Sequence, residues 1–145
     1  MRIGFASDHR GYKLKNELME YLKDKYELID VGTYTTESCD YPDYAKALGE
    51  KILNKEVDFG VAICGSGIGI SIACNKIKGI YCAKVSNYKE AEYTRNDNNT
   101  NVIAFGETMD LEEAKKAVET FINTPYSNLE KHNRRINKIK ELENA

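Results

Sequence analysis

Five short β-rich runs, several of them nearly continuously apolar, separated by longer amphipathic stretches constrain this chain more than any other feature. Arg2 to Ala6, Glu27 to Val31, Phe59 to Ile63, Ile80 to Val85 and Asn101 to Phe105 have the length and the β-branched and aromatic content of strands. Strands apolar at consecutive positions are covered on both faces, the habit of parallel sheets, and the intervening segments are long enough to be helical crossovers. The expected architecture is therefore α/β. At 145 residues the chain can bury one continuous core, so a single domain over residues 1–145 is expected.

The crossovers carry their own punctuation. A first helix beginning near Gly11 places Leu14, Leu18 and Leu22 on one stripe against the sheet and turns Lys15, Glu20 and Lys23 outward. Asp40 followed by Pro42 marks a second helix start, because the first turn does not need proline's missing N–H. Asp110 to Glu113 and Ser127 to Glu130 both read as capping boxes. The basic segment from Asn128 to Leu142 follows the fifth strand and connects no further strand, so it is expected to extend toward a partner subunit.

Charged residues make up 30% of the chain, yet the net charge is -2 and no block of one sign stands out, which gives no footprint for nucleic acid. The apolar run at the N-terminus is too short for a signal peptide, and no stretch approaches the roughly 18 apolar residues of a membrane helix. A cytoplasmic protein without membrane attachment is expected. Cys39, Cys64, Cys74 and Cys82 lack paired CxxC spacing and read as free thiols. With only His9 and His132, no multi-histidine metal site can be assembled within one chain, and neither a metal nor a cofactor is called for.

In open parallel sheets, ligands bind beyond the carboxyl ends of the strands. Three polar loops are therefore expected to share one crevice: Ser7 to Gly11, Cys64 to Ser71, and Arg95 to Asn101. Gly65, Gly67 and Gly69 allow a tight turn that exposes backbone N–H groups to an anion, and the following helix adds its dipole. Cys64 stands immediately before those amides, where helix N-terminal charge favours a thiolate. By spacing alone it reads equally well as a small buried apolar residue; the glycine cluster shifts the balance toward chemistry. His9 follows Asp8, whose carboxylate could orient the imidazole. His132 lies among Lys131, Arg134 and Arg135, a cluster that reads either as a phosphate grip or as a solvated helix face.

Three rival readings of the glycine loop fail on the letters. Ile70 stands where a dinucleotide fingerprint needs its third glycine, and the required acidic residue does not follow. No Gly-Lys-Ser/Thr triplet closes a phosphate loop for nucleotide hydrolysis. A cysteine phosphatase would want an arginine near Ile70, where none is found.

Asp8-His-Arg-Gly-Tyr12, Asp40-Tyr-Pro-Asp-Tyr44, Ile63-Cys-Gly-Ser-Gly-Ile-Gly-Ile-Ser-Ile-Ala73 with Asn75-Lys76, and Asn101-Val-Ile-Ala-Phe-Gly106 occur in order along the chain. Together they resemble the B-type ribose-5-phosphate isomerases and their galactose-6-phosphate isomerase relatives over nearly its whole length. The resemblance implies a Rossmann-like three-layer sandwich with a five-stranded parallel sheet, and a homodimer or dimer of dimers whose active sites are shared between subunits. It also implies cofactor-free aldose–ketose isomerisation of a sugar phosphate through a cis-enediolate. Cys64 then moves the proton between C1 and C2, and the amides from Gly65 through Ser66, Gly67 and Ile68 to Gly69 hold the enediolate oxygen. By the same resemblance, Asp8 and Ser66 lie near the sugar hydroxyls, Asn98 contacts substrate, and His9 and Arg135 belong to the phosphate end, with Lys131 and His132 matching the C-terminal Arg-His pair.

The sequence departs from that pattern at positions that bear on substrate. Asp97 stands where most members of the family carry the histidine that helps open the sugar ring, and an ionised carboxylate accepts hydrogen bonds without donating one. Thr108 and Lys131 replace arginines, and lysine keeps the charge but loses the planar fork. Ring opening is then expected to rely on His9, on water, or on an already open substrate. Ribose 5-phosphate is the first substrate to consider and a hexose 6-phosphate the alternative. A sugar-phosphate binding protein, or a subunit needing a different partner chain, is the reading of another class; a redox-sensing thiol domain has only the four cysteines in its favour.

Overall fold

The computed structural model describes residues 1–145. Strand and helix alternate as β1 (Arg2–Ser7), α1 (Tyr12–Leu22), β2 (Glu27–Gly32), α2 (Tyr41–Leu53), β3 (Phe59–Cys64), α3 (Ile68–Asn75), β4 (Cys82–Lys84), α4 (Tyr88–Asn98), β5 (Val102–Gly106), α5 (Leu111–Asn123) and α6 (Glu130–Glu143). The five strands form one parallel sheet in the order β2-β1-β3-β5-β4, covered by helices on both faces in the Rossmann-like manner. Only Cys82–Lys84 of the expected fourth strand pairs with the sheet, as its edge.

Side-chain alternation along the central strands makes the two faces unequal. Ile3, Phe5, Val61, Ile63, Ile103 and Phe105 point to one side and pack with Leu14, Leu18 and Leu22 of α1 and Ala117, Val118 and Phe121 of α5. The opposite side carries Ala6, Ala62, Cys64 and Ala104, packed with Leu48 of α2 and Ile70 and Cys74 of α3. A side chain at Gly4 or Gly60 would come within 2.8 or 2.9 Å of Leu48, so the small residues bring α2 directly onto the sheet. This is the face on which the Cys64 side chain lies.

The stripe of α1 docks as expected, but Lys15 does not look outward. It is fully buried, and its ammonium reaches Asp30 Oδ1 at 2.5 Å and the Thr33 carbonyl at 2.6 Å. The carboxylate and carbonyl at the end of β2 supply an ionic and a polar partner that helical periodicity could not reveal. The Ser127 box also departs from expectation: Asn128 takes a positive φ of 55° and α6 begins only at Glu130, while Ser127 Oγ bonds His132 Nδ1 at 2.7 Å. Asp110 does cap α5, accepting from the Glu113 amide at 3.3 Å.

α6 is mostly exposed, and its far end is tied to the segment before β4 by Glu143, which accepts from the Gly79 amide at 2.6 Å and from the Tyr81 hydroxyl at 2.8 Å. The Gly79 amide, then the Tyr81 hydroxyl, hold the carboxyl below its ordinary value; burial, then the same pair, pushes the Tyr81 phenol up to about 12. A carboxylate depressed in the folded state stabilises it above the unfolded-state value, and that contribution is lost as pH falls through the folded one. Amide exchange at Gly79 is therefore expected to accelerate specifically in that acid range, relative to neighbouring amides, and Glu143→Gln should abolish that pH-dependent step.

Candidate active site

β1 is followed in sequence by β2 on one side of it, while the chain reaches β3 on its other side, so the loops after β1 and β3 diverge and leave a crevice between their carboxyl ends. A cleft of about 810 Å³ occupies it, lined by Asp8, His9 and Arg10 from the first loop, Cys64, Gly65, Ser66, Ile68 and Gly69 from the third, and Cys39 to Asp43 leading into α2. Two of the three expected loops thus meet.

The third does not. Asn101 sits beside Gly60, whose amide donates to its carbonyl at 2.9 Å, at the start of β3 rather than its end. Cys64 is four residues further along, about 13 Å at the rise of a strand. Asp97, Asn98, Lys131, His132 and Arg135 therefore gather at the opposite end of the sheet. There His132 Nε2 lies 3.7 Å from Asp97 Oδ1, and Asn96 donates to the same oxygen at 2.7 Å. Lys131 and Arg135 are exposed and carry no ion pair, whereas Arg134 is engaged by Glu130 at 2.9 Å. Within one chain these residues and Cys64 cannot touch one small molecule.

Cys64 is only 3% exposed and clusters with Ala62 and Ile70, yet it lines the same cleft as Asp8 and His9. Its partner is the Gly67 amide, which donates to Sγ at 3.2 Å. Gly67 has a φ of 79°, and an added Cβ would meet the Phe105 carbonyl carbon at 2.5 Å, so only glycine lets the loop lean on β5 here. Gly67 is not among the residues that line the cleft, and its amide is engaged by the Cys64 sulfur. The Ile68 amide is also engaged, donating to Ser66 Oγ at 3.1 Å. That leaves the Gly65, Ser66 and Gly69 amides without an acceptor in the chain, so three of the five expected cradle donors remain available.

Asp8 does not orient His9. Its Oδ1 accepts from the Arg10 and Gly11 amides, each at 3.0 Å, closing the turn into α1 and leaving Oδ2 without a partner in the chain. His9 is held instead by the Cys39 amide, which donates to Nδ1 at 3.2 Å. An accepting Nδ1 assigns the ring proton to Nε2, which can then donate. Arg10 and Glu107 join at 2.6 Å across the Gly65 turn, and this carboxylate raises the guanidinium above its ordinary value by hydrogen bond and charge. Tyr41 covers Gly69 closely enough that a Cβ there would meet its ring at 2.5 Å. Arg10, Tyr41 and Asp43 lie within the quoted motifs and Cys39 reads as a free thiol, but the sequence assigns none of the four a role in the site. The signal was the position of the Asp40-Tyr-Pro motif just after β2, whose carboxyl end borders the same edge of the sheet.

Residues 3–139 match the family model described as Ribose/Galactose Isomerase. The chain belongs to that family. Ribose-5-phosphate isomerase B of Escherichia coli is 40% identical to this family member over 98% of this chain and 96% of its own. The galactose-6-phosphate isomerase subunit LacB of Clostridium acetobutylicum is 36% identical over 98% and 83%. Among solved structures, ribose-5-phosphate isomerase B of Clostridium thermocellum superposes with a TM-score of 0.96 at 42% identity, covering 99% of this chain and 98% of that one. The Mycoplasma genitalium enzyme with bound ribulose-5-phosphate gives 0.91 at 36% identity, covering 99% and 96%. This member of the family is accordingly an aldose–ketose isomerase by descent and by fold.

Proposed function

We propose that this chain interconverts ribose 5-phosphate and ribulose 5-phosphate without a cofactor, using Cys64 as the base. The observation that carries the reading is Cys64 at the end of β3, lining a cleft with Asp8 and His9 and flanked by amides that have no acceptor in the chain. The Gly67 N–H bond to Sγ strengthens when the sulfur is anionic. In the open-chain aldose the thiolate takes the proton on C2, the C2 electron pair forms the C1–C2 double bond, and charge settles on O1. The Gly65, Ser66 and Gly69 amides supply donors for that charge where it develops. Return of the proton from sulfur to C1, with transfer of the hydroxyl proton from O2 to O1, completes the ketose. Ser66 Oγ already accepts from Ile68, so its own proton is free to bridge those two oxygens.

Asp8 Oδ2 is suited to accept from a sugar hydroxyl, and His9 Nε2–H to donate to a ring or phosphate oxygen. The phosphate needs more positive charge than this cleft offers: Asp8, Asp40 and Asp43 line it, and Arg10 is engaged by Glu107. Lys131 and Arg135 carry unpaired charge, but at the other end of the sheet. A second copy of the chain, presenting the end of α4 and the start of α6 to this cleft, would supply those cations together with Asn98, Asp97 and His132. The exposed Ile139 and Leu142 of α6 are consistent with that helix extending toward a neighbour.

Incubation with ribose 5-phosphate and a panel of hexose 6-phosphates in deuterated water tests the reaction: deuterium should appear at C2 of the pentose phosphate, and absence of exchange on every sugar would overturn it. One observation favours a second reading. Asp97 stands where the family resemblance calls for a hydrogen-bond donor, and the LacB protein that this chain is similar to is a galactose-6-phosphate isomerase subunit. If the pure chain binds sugar phosphates and turns over only after a different subunit is added, the partner-dependent reading replaces the homo-oligomeric one.

A further inference from the structure

We propose that Lys15, remote from the reacting atoms, is a positioning residue that fixes the orientation and tautomer of His9 through the segment from Thr33 to Asp40. Lys15 is fully buried on a helix whose other inward residues are Leu14, Leu18 and Leu22. A leucine there would extend the stripe without the desolvation cost of a buried ammonium, so packing alone does not account for it. What the ammonium holds is the root of an irregular segment. Its Nζ donates to the Thr33 carbonyl at 2.6 Å and to Asp30 Oδ1 at 2.5 Å, between the rings of Tyr12 and Tyr34 at 5.6 and 5.5 Å. Asp30 Oδ1 also accepts from the Gly32 amide at 3.0 Å, and the Thr33 amide donates to the Ser7 carbonyl at 2.8 Å, immediately before Asp8 and His9.

From that root the chain runs through Tyr34 to Ser38, all exposed and without regular structure, to Cys39. The Cys39 amide donates to His9 Nδ1 at 3.2 Å, and the Cys39 sulfur lies 3.9 Å from the same nitrogen, so both contacts to that nitrogen come from residue 39. The segment's path is thus set at one end by Lys15 and read out at the other by the imidazole. Loosening the root frees the Cys39 amide, and His9 then samples both neutral tautomers, only one of which presents Nε2–H to the cleft.

The test uses the full-length protein with nitrogen-15 histidine at pH 8, where long-range proton–nitrogen correlations distinguish the two tautomers. Only His9 and His132 contribute, so His132 serves as an internal control. Wild type should show His9 with a bare Nδ1 and a protonated Nε2. In Lys15→Met the His9 signals should move to a tautomer mixture while those of His132 stay in place. Asp30, whose side chain is 33% exposed, can be hydrated in that variant. If Lys15→Met does not fold, Lys15→Gln carries the test: it is one atom shorter, reaches one of the two acceptors, and should shift His9 part of the way. A folded variant with the wild-type His9 spectrum overturns the proposal. For turnover, where the inference rests on the isomerase reading, kcat should fall about tenfold or more while KM changes less. An inactive wild type would refute that reading and leave the spectroscopic result to decide the role of Lys15.

Discussion

Cys64→Ala is expected to lower turnover of the pentose phosphate by about 10² to 10⁴, the range contributed by a positioned acid–base group. Ligand affinity should change little, because the amides of Gly65, Ser66 and Gly69 and the side chains of Asp8 and His9 are untouched. Removing the sulfur also leaves a small gap beside Ala62 and Ile70, so thermal unfolding should be followed alongside kinetics. Undiminished deuterium exchange in a folded Cys64→Ala protein would remove the sulfur from the base role. The same variant tests the shared site. Mixed after dissociation with Arg135→Ala, it should recover activity that neither variant has alone, since in the proposed two-copy assembly one site of a mixed pair then holds an intact Cys64 and an intact Arg135. No recovery after verified subunit exchange would mean that the two clusters do not serve one substrate.

The largest stability effect is expected at Asp30. Its carboxylate faces the fully buried ammonium of Lys15, and Asp30→Ala leaves that charge with the Thr33 carbonyl as its one hydrogen-bond acceptor, between the Tyr12 and Tyr34 rings. Breaking a buried pair by removing one partner costs about 3–5 kcal/mol. Lys15→Met removes the charge that would otherwise be stranded, so the double variant Lys15→Met/Asp30→Ala should be more stable than Asp30→Ala by itself. Urea unfolding of the two single variants and the double variant measures this directly. A double variant less stable than Asp30→Ala would show that the ammonium is adequately solvated without its carboxylate.

Strand positions, the α1 stripe and the place of the β3 end beside a cleft were legible because each depends on residues close in sequence. Apolar runs such as Phe59 to Cys64 and the glycines after them are local signals. The misplacement of Arg95 to Asn101 has a different origin. Those residues precede β5, and a segment before a parallel strand lies at the amino end of the sheet, opposite the loops after β1 and β3. Lys15 departs from its expected outward position because helical periodicity marks which positions face inward, and says nothing of a carboxylate 15 residues away. The partner of His9 was missed for a related reason. It is a backbone amide from residue 39, and a backbone donor leaves no trace in side-chain identity.

The turn at Gly67 rests against the Phe105 backbone with no room for even a methyl group between them. The placement of the neighbouring amides is therefore inherited from the β3–β5 seam, so the sheet itself sets where a ligand in the cleft would meet them. Warming that begins to part the seam should blunt catalysis before the molecule as a whole melts.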